Sequence, residues 1–457
     1  MSYLPVIHPN RPQDLPVETA SATANQEPPM GALRIALLGY RSHPHVGGQG
    51  IYLHYLSKAL VDLGHQVDVI SGPPYPELDP RVNLIKLPSL DLYAHPNPTR
   101  ALRLKHFLSL ADFYEWWSKL SGAFGEPYCF GRRLVNYFQQ HNPQYDVVHD
   151  NQSLGYGLLD LQKRGVNLIA TVHHPITQDR DLALAAATTK GQRWLINRWY
   201  SFLAMQKKVV QQLNHVITVS RQSQRDIAVA FNRPANNIQV IPNGVDASVF
   251  KPLEKIARQP YRLITTASSD QPLKGLSVLL RAVKNLGGQF PALQLIVIGK
   301  LKENGETQRE LQALDLQHRV QFISGITTCE LVEEYARASV AIVPSLYEGF
   351  GLPAAEAMAC GVPLICSDGG ALPEVVGAAA RLVRAGDVDE LAQALAELLA
   401  DTELRERLSE QGRAHIVQQL SWDCVGKKME AYYRQLLNRA SPHDLGLAAG
   451  QVHNAYD

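Results

Sequence analysis

The stretch 345–361, SLYEGFGLPAAEAMACG, is the most informative segment of this 457-residue sequence. It follows the apolar run 340–343, which is typical of a buried parallel strand, and Pro353 suits the first position of a helix. A strand that ends in a glycine-containing loop and opens a helix leaves backbone N–H groups that bind anions such as phosphate. Glu348 in the loop and Glu356 on the helix can each accept hydrogen bonds from hydroxyls of a sugar or ribose. The structural alternative is that both glutamates are solvated or cap the helix.

The rest of the chain repeats the same alternation of strands and helices. Apolar runs typical of buried strands occur at 33–38, 66–70, 146–149, 167–173 and 215–220, and again at 262–267, 294–299, 320–323, 340–343 and 363–366. Strand, helix and strand in succession are typical of a doubly wound parallel sheet. The alternation pauses near 241–246, IPNGVD, and restarts after it. The sequence therefore predicts two α/β halves.

Composition excludes several classes of protein. Hydrophobic residues make up 45% of the chain, which is enough for large cores and argues against a disordered or fibrous chain. The 44 Lys and Arg nearly balance the 43 Asp and Glu, so nucleic acid is not an expected partner. The five cysteines form no CxxC pair, which favours a reducing compartment. We find no membrane-spanning apolar run and no signal peptide, and expect a cytoplasmic protein, either soluble or in peripheral contact with the inner face of a membrane.

Five segments, in the right order, resemble the retaining glycosyltransferases of family 4, which have the GT-B fold. They are Glu348 with Glu356 (the family's Glu-x7-Glu signature), Gly47-Gly48-Gln49-Gly50 (its turn into the first helix), Gly64-His65 (a helix-to-strand corner), 241–246 (its interdomain segment) and Trp422 (an aromatic residue near the start of the closing helix). The resemblance covers 33–438. It implies an α/β protein with two Rossmann-like, doubly wound parallel-sheet domains that face each other across a cleft.

The resemblance also implies a domain organisation. The expected parts are a Pro-rich disordered tail (1–30), an N-terminal domain on the acceptor side (31–245), a C-terminal domain for the nucleotide-sugar donor (246–420), a closing helix that packs back on the N-terminal domain (421–440) and a second tail (441–457).

The implied binding site for the sugar donor lies mainly on the C-terminal half. Carried over position by position, Glu348 holds hydroxyls of the transferred sugar and Glu356 holds the ribose diol. The remaining residues implied to bind the sugar donor are Gly48, Ser269, Lys274, Gly299, Ile326, Gly349, Phe350 and Gly351. Gly48 has no Cβ atom and so lets the first loop approach the diphosphate. These residues do not identify the base, and we expect a UDP-sugar ahead of a GDP-sugar.

Three residues are implied to act in catalysis, namely His173, Glu348 and Lys274. Lys274 resembles the family lysine that pairs with the pyrophosphate and neutralises charge as the nucleoside diphosphate leaves. The chain departs from the family at Ser269, where many members have an arginine. Either Lys274 works with hydroxyl and backbone partners, or Lys300 takes the place of that arginine. A solvated position at the start of a helix is the structural alternative for Lys274.

His173 ends a predicted strand, at the carboxyl edge where ligands bind in such sheets. The family places a histidine there, near the site of reaction, although a histidine after a strand also serves structural roles. The family's retaining outcome is explained by front-face attack, in which the leaving diphosphate helps to accept the proton. No enzymic nucleophile, metal or other cofactor is then implied. The patterns Asp-x-Asp at 179–181 and 387–389 would bind a metal in a different glycosyltransferase fold, and we attribute them to chance.

Two unusual segments lie in the predicted acceptor half. Residues 93–133 concentrate aromatic side chains, and residues 163–221 contain nine Lys or Arg against two Asp. One interpretation is an acceptor groove or a surface that contacts anionic lipid headgroups. The other is a set of core aromatics beside a solvated helix face. In that case Trp194, Trp199, Phe202 and Val209 have spacings that fit one buried helical stripe.

The sequence therefore predicts transfer of a hexose from a nucleotide diphosphate sugar to a hydroxyl of a glycan, a glycolipid or a small molecule. A sugar phosphorylase or a nucleotide-sugar epimerase on the same fold is one alternative. A non-catalytic nucleotide-sugar-binding protein is another, and Ser269 favours it. A dinucleotide-dependent oxidoreductase is disfavoured because no GxGxxG follows the first strand.

Overall fold

The computed structural model of this chain describes residues 31–43, 48–92 and 109–440. Within these residues the chain forms two parallel sheets, each enclosed by helices on both faces. The predicted tails (1–30 and 441–457), Gly47 of the first loop and the start of the aromatic segment (93–108) lie outside the described residues.

The N-terminal domain contains the larger sheet. Its strands are β1 (Arg34–Gly39), β2 (Gln66–Ser71), β3 (Asn83–Lys86), β4 (Val147–Asn151), β5 (Leu168–Val172), β6 (His215–Thr218) and β7 (Ile238–Val240). They are all parallel and lie in the order β3-β2-β1-β4-β5-β6-β7. The central strands β4 and β5 are buried along their whole length, as expected for strands covered on both faces.

Eight described helices belong to this domain. They are α1 (Gly48–Asp62), α2 (Leu110–Leu120), α3 (Glu126–His141), α4 (Gly157–Lys163), α5 (Thr177–Ala186), α6 (Lys190–Trp199), α7 (Phe202–Gln212) and α8 (Arg221–Phe231). Apolar residues of α1, among them Leu53, Leu56 and Leu60, pack on one face of the sheet. Helices α3, α4, α7 and α8 cover the other face.

The C-terminal domain repeats this plan with a smaller sheet. Its strands are β8 (Arg262–Thr266), β9 (Gln294–Ile298), β10 (Val320–Ile323), β11 (Val340–Val343), β12 (Leu364–Ser367) and β13 (Arg381–Val383), in the order β10-β9-β8-β11-β12-β13. Its helices are α9 (Leu276–Leu286), α10 (Glu306–Ala313), α11 (Thr328–Arg337), α12 (Leu352–Ala359), α13 (Leu372–Val376), α14 (Val388–Ala400) and α15 (Thr402–His415). The prediction of two doubly wound parallel-sheet domains is confirmed.

The last described helix, α16 (Trp422–Ala440), returns to the N-terminal domain and packs on α1. Its Tyr433 is fully buried against the face of the larger sheet. At its start, Trp422 lies over Gly244 of the interdomain segment, where a Cβ atom would come 2.5 Å from the indole ring. The backbone of Val245 also exchanges hydrogen bonds with Leu420 (2.7 Å) and Trp422 (3.2 Å). The closing helix therefore joins the two domains at the interdomain segment.

All ten predicted strands are present, with ends within two residues of the predicted ones, but β3, β7 and β13 were not predicted. Each of these three strands lies at an edge of its sheet and has only three or four residues, most of them at least partly exposed. An edge strand does not need a continuous apolar run, so the signal used for the other strands is missing.

The prediction of one buried helical stripe from Trp194 to Val209 is wrong. These residues lie on two separate helices, α6 and α7. Phe202 and Val209 of α7 are buried, whereas Trp194 of α6 is 62% exposed. Over the described ranges, no helix combines the length and the apolar character that crossing a bilayer requires.

Candidate active site

A cleft of about 930 Å³ separates the two domains and is lined by residues from both. His173 follows β5 on the N-terminal side, and Lys274 and Glu348 follow β8 and β11 on the C-terminal side. Because parallel strands all end at the same edge of a sheet, the two carboxyl edges face each other across this cleft. Most of the predicted site residues come together here.

Lys274 and Glu348 form an ion pair on the C-terminal wall. The Lys274 Nζ lies 2.8 Å from Glu348 Oε1, and the Ser345 hydroxyl donates to the same oxygen at 2.8 Å. The two loops can approach because of Gly275, where a Cβ atom would lie 1.9 Å from the Pro344 carbonyl oxygen. The lysine is therefore held beside the glutamate by backbone packing as well as by charge.

Glu356 is the third residue after Pro353 in α12, and it lines the same cleft. Burial raises the pKa of its carboxyl group from 4.5 to about 7, and a hydrogen bond from Tyr335 of α11 partly offsets that rise. Burial, together with the neighbouring Glu356, also holds the pKa of Tyr335 well above its ordinary value, so this hydroxyl keeps its proton. Near neutral pH, Glu356 is thus present in both protonation states.

The loop 349–351 joins these two glutamates and contacts the opposite domain. Gly351 has φ +95°, and a Cβ atom there would come 2.6 Å from Leu372 Cδ2, so this position requires glycine. The Gly349 carbonyl accepts hydrogen bonds from the hydroxyls of Ser220 (2.7 Å) and Ser223 (3.0 Å) in the N-terminal domain. Phe350 is buried in the C-terminal core and anchors the loop.

His173 lies on the N-terminal wall and is neutral. Burial lowers the pKa of its imidazole to about 3, with a further contribution from His174. Its Nε2 lies 2.7 Å from Asn151 Oδ1, and its ring meets Tyr52 edge-on at a centroid distance of 4.8 Å. The side chain of Gln152 accepts from the His173 backbone N–H (2.7 Å) and donates to the His174 carbonyl (2.9 Å).

Gly48 is the first residue of α1 and lines the cleft close to His173. A Cβ atom built on Gly48 meets nothing within 4 Å, so the space beside it is open. The structure therefore places His173, Lys274, Glu348, Gly349, Phe350, Gly351, Glu356 and Gly48 around one cleft.

Three predicted residues are not among those that line the cleft, namely Ser269, Gly299 and Ile326. The Ser269 hydroxyl donates to the Lys300 carbonyl (2.8 Å) and accepts from the Lys302 backbone N–H (3.0 Å), so it connects two loops. Gly299 serves close packing, since a Cβ atom there would lie 2.2 Å from the Ala267 carbonyl oxygen. Among the described lining residues, Lys274 is the single lysine or arginine.

The sequence analysis missed the polar residues Asn151, which ends β4, and Gln152, which directly follows it. A signal was present, since the buried strand runs into four consecutive polar residues at 150–153. It also missed Glu374 of α13, whose carboxylate accepts from the backbone N–H groups of Arg221 (2.9 Å) and Gln222 (3.0 Å) of α8. Glu374 thus caps a helix of the other domain, and no local pattern shows this contact because the bonded residues lie 153 and 152 positions apart.

The two Asp-x-Asp patterns have separate surroundings. Asp387 caps α14 by accepting from the Glu390 backbone N–H at 2.9 Å, and Asp181 pairs with Arg180 at 2.8 Å. Asp179 lines the cleft and lies 3.8 Å from His174 Nε2. In the part of the chain that the structure describes, no three His, Cys, Asp or Glu side chains are grouped so as to hold a metal ion.

The sequence of this chain is similar to family models and to known proteins. Residues 46–249 match the model for Glycosyltransferase Family 4, and residues 253–415 match that for Glycosyl transferases group 1. The chain is 45% identical over 417 residues to the MMP α-(1→4)-mannosyltransferase of Mycolicibacterium hassiacum, covering 90% of this chain and 100% of that protein. It is 26% identical to the D-inositol 3-phosphate glycosyltransferase of Kribbella flavida, covering 88% and 95%.

Solved structures have the same fold. Sucrose-phosphate synthase from Thermosynechococcus elongatus has a TM-score of 0.65 at 26% identity, covering 89% of this chain and 99% of that one. Anabaena HepE in complex with UDP has a TM-score of 0.63 at 16% identity, covering 88% and 100%, and supports the fold alone. The two family models and the relative at 45% identity show the family. This chain belongs to the family 4 glycosyltransferases and has the GT-B fold.

Proposed function

We propose that this glycosyltransferase moves a hexose from a nucleotide diphosphate sugar to an acceptor hydroxyl, with retention of anomeric configuration and without a metal. The observation that carries the proposal is the cleft itself, where the Lys274–Glu348 pair and Glu356 face the neutral His173. The relative at 45% identity is named a mannosyltransferase, which supports mannose as the hexose and an α-(1→4) linkage. For the base of the donor nucleotide, we still expect uracil ahead of guanine.

On the C-terminal wall, Lys274 is the cation that meets the diphosphate. When the diphosphate binds, its charge competes with Glu348 for the lysine, which frees the carboxylate to accept hydrogen bonds from hydroxyls of the sugar. The lysine then neutralises the charge that develops as the nucleoside diphosphate leaves. Glu356, in its ionised form, accepts hydrogen bonds from the two ribose hydroxyls.

On the N-terminal wall, the described lining contains no Lys or Arg and several apolar or aromatic residues, among them Ile51, Tyr52, Tyr55, Ile176 and Ala183. Such a surface suits an uncharged sugar of a glycan or glycolipid better than a phosphorylated one. The acceptor hydroxyl attacks from the face that the diphosphate leaves, and the diphosphate accepts its proton. No enzymic nucleophile takes part in this mechanism.

We also propose that the exposed sides of α2 and α6 contact an anionic membrane. We call this the α2–α6 surface, and its exposed residues are Leu110, Trp117, Leu120, Trp194 and Leu195. The two helices adjoin, since Arg198 of α6 donates to the Ser121 hydroxyl at 2.7 Å directly after α2. Helix α6 carries three basic residues and no acidic one, and both acids of α2 pair with Arg133. Exposed tryptophan beside basic residues suits an interface with anionic lipid.

The first experiment measures nucleotide release from UDP-, GDP- and ADP-linked mannose and glucose, with neutral mannosides and phosphorylated sugars as acceptors, with and without EDTA. We expect one mannosyl donor to be used with a neutral mannoside, unaffected by EDTA, and an α-linked product by NMR. A β-linked product from an α-linked donor would overturn retention, and loss of activity in EDTA would overturn metal independence. Conversion of the donor without acceptor would favour the phosphorylase or epimerase alternative.

Membrane contact is tested separately by co-sedimentation with vesicles of phosphatidylglycerol and phosphatidylcholine at low salt. We expect the Trp117→Ser/Trp194→Ser variant to lose binding and to keep its activity on a water-soluble acceptor. A Val229→Ser variant, which changes an exposed apolar residue on α8, is the matched control. Equal binding by all three proteins, or no binding by any, would contradict the proposal.

A further inference from the structure

The four polar residues at the carboxyl end of β4 and directly after it, 150–153, are all buried. Asp150 accepts hydrogen bonds from Ser153 and Leu154 and so shapes the turn. Gln152 is bonded to the backbone of residues 173 and 174 in the loop that follows β5. Asn151 has neither of these functions, since its side chain points to the ring of His173.

The orientation of the Asn151 amide follows from its two partners. Its Nδ2 donates to the Gln49 carbonyl oxygen at 3.0 Å, and a carbonyl oxygen can only accept a hydrogen bond. Its Oδ1 therefore faces His173 Nε2 at 2.7 Å, and an amide oxygen also can only accept. It follows that Nε2 of His173 carries the hydrogen, and that Nδ1 of the neutral ring carries the lone pair.

The same two bonds connect separate parts of the cleft. Gln49 lies in the first turn of α1, beside Gly48, and both residues line the cleft with His173. Asn151 thus links the loop that follows β5 to the start of α1 through one buried side chain. The titratable side chains around the His173 ring are His149, His174 and Tyr52, and burial holds His149 neutral as well as His173.

We infer that Asn151 is a positioning residue for glycosyl transfer, and the inference rests on the proposed role of this cleft. It holds His173 as the Nε2–H tautomer, which leaves Nδ1 as the ring atom that can accept a hydrogen bond from a substrate hydroxyl. It also keeps that ring at a fixed distance from the first turn of α1. The reacting groups therefore meet a wall of fixed geometry, which is how positioning contributes to rate.

The test compares Asn151→Ala, Asn151→Asp and Gln152→Ala in the full chain. The wild-type tautomer is first measured without substrate by ¹⁵N NMR of histidine-labelled protein, with His173→Gln to assign the signal. We expect the Nε2–H form, which is lost or averaged in Asn151→Ala. We expect kcat in Asn151→Ala to fall by about 10- to 100-fold, while KM for the sugar donor changes much less.

The pH dependence of activity in Asn151→Asp is a measurement that a purely structural role of Asn151 would leave unchanged. A carboxylate at this position stabilises protonated His173 and raises its pKa, so activity should fall more steeply than that of the wild type as pH decreases from about 8 to 6. Gln152→Ala loosens the same loop without touching the ring and should leave the shape of the pH profile unchanged. Protonated Nδ1 in the wild-type spectrum, or wild-type kcat in Asn151→Ala, would overturn the inference. Because the tautomer is read without substrate, it can fail independently of the proposed reaction.

Discussion

The two walls of the cleft differ in charge and in how they are built. The C-terminal wall has the cation of the described lining, Lys274 paired to Glu348, and also Glu356, whose pKa burial raises to about 7. The N-terminal wall is neutral at His173 and has no described lysine or arginine in its lining. In the proposed reaction, the wall that contains Lys274 meets the charge of the diphosphate, and the other wall orients hydroxyl groups.

The largest expected effect comes from the cation of the C-terminal wall. We expect Lys274→Ala to lower kcat/KM by about 100- to 1000-fold, because the charge on the leaving diphosphate loses its partner. The measurement is steady-state kinetics with the sugar donor that the first experiment identifies. Lys300→Ala removes a lysine that does not line the cleft and should stay near wild type. An equal loss in both variants would show that the diphosphate charge is shared more widely.

Substitution of one glycine on each wall tests how strictly the backbone of that wall requires glycine. Gly351→Ala places a side chain at φ +95° and against Leu372, and should lower the free energy of unfolding by about 1–3 kcal/mol. Gly48→Ala meets open space at an ordinary backbone conformation and should leave stability unchanged. Chemical denaturation measures the first effect, and KM for the sugar donor tests whether Gly48 allows close approach of the diphosphate. Equal stability of the two variants would contradict the assignment of strain to Gly351.

The raised pKa of Glu356 predicts that folding stability and nucleotide affinity depend on pH in opposite directions. Because burial raises its pKa to about 7 in the folded state, its contribution to stability is fully present below its unfolded pKa of 4.5 and is lost as pH rises through about 7. Nucleotide affinity should instead rise over the range from about pH 6 to 8, since ribose hydroxyls donate to the ionised carboxylate. Melting temperatures and nucleotide Kd values across this range test both. Glu356→Gln should abolish both dependences, and their persistence would assign them to another group.

The smallest effect on activity is expected from a substitution at a contact between the two domains. Glu374→Gln weakens the cap that α13 provides to α8 of the other domain, which is worth about 1 kcal/mol. If this contact stabilises the closed cleft, kcat/KM should fall by about fivefold, and the free energy of unfolding should fall by no more than the value of the cap. Small-angle scattering with and without nucleotide measures the closure. Glu390→Gln, at a partly buried position within the C-terminal domain, is the control, and an equal loss there would contradict a role for the interdomain contact.

The two walls also differ in how well the sequence predicted them. Glu348, Gly351 and Glu356 lie within one strand–loop–helix unit, so a local pattern was enough to place them in the site. Tyr52 lines the cleft and Asn151 contacts His173 behind it; they come from different elements and were missed. The interpretation of Trp194 with Val209 as one stripe failed because spacing alone does not show where one helix ends and the next begins.

The two parallel sheets and the Glu348–Glu356 unit follow from the sequence alone, because buried strands need apolar runs and glycine loops need particular residues at adjacent positions. Three other features follow from the tertiary structure. It brought Lys274 to Glu348, it left Ser269, Gly299 and Ile326 outside the lining, and it joined Asn151 to His173 and Gln49. The physical reason is that such contacts depend on which strands lie side by side and how two domains meet, and residues far apart in sequence leave no periodic signal of that.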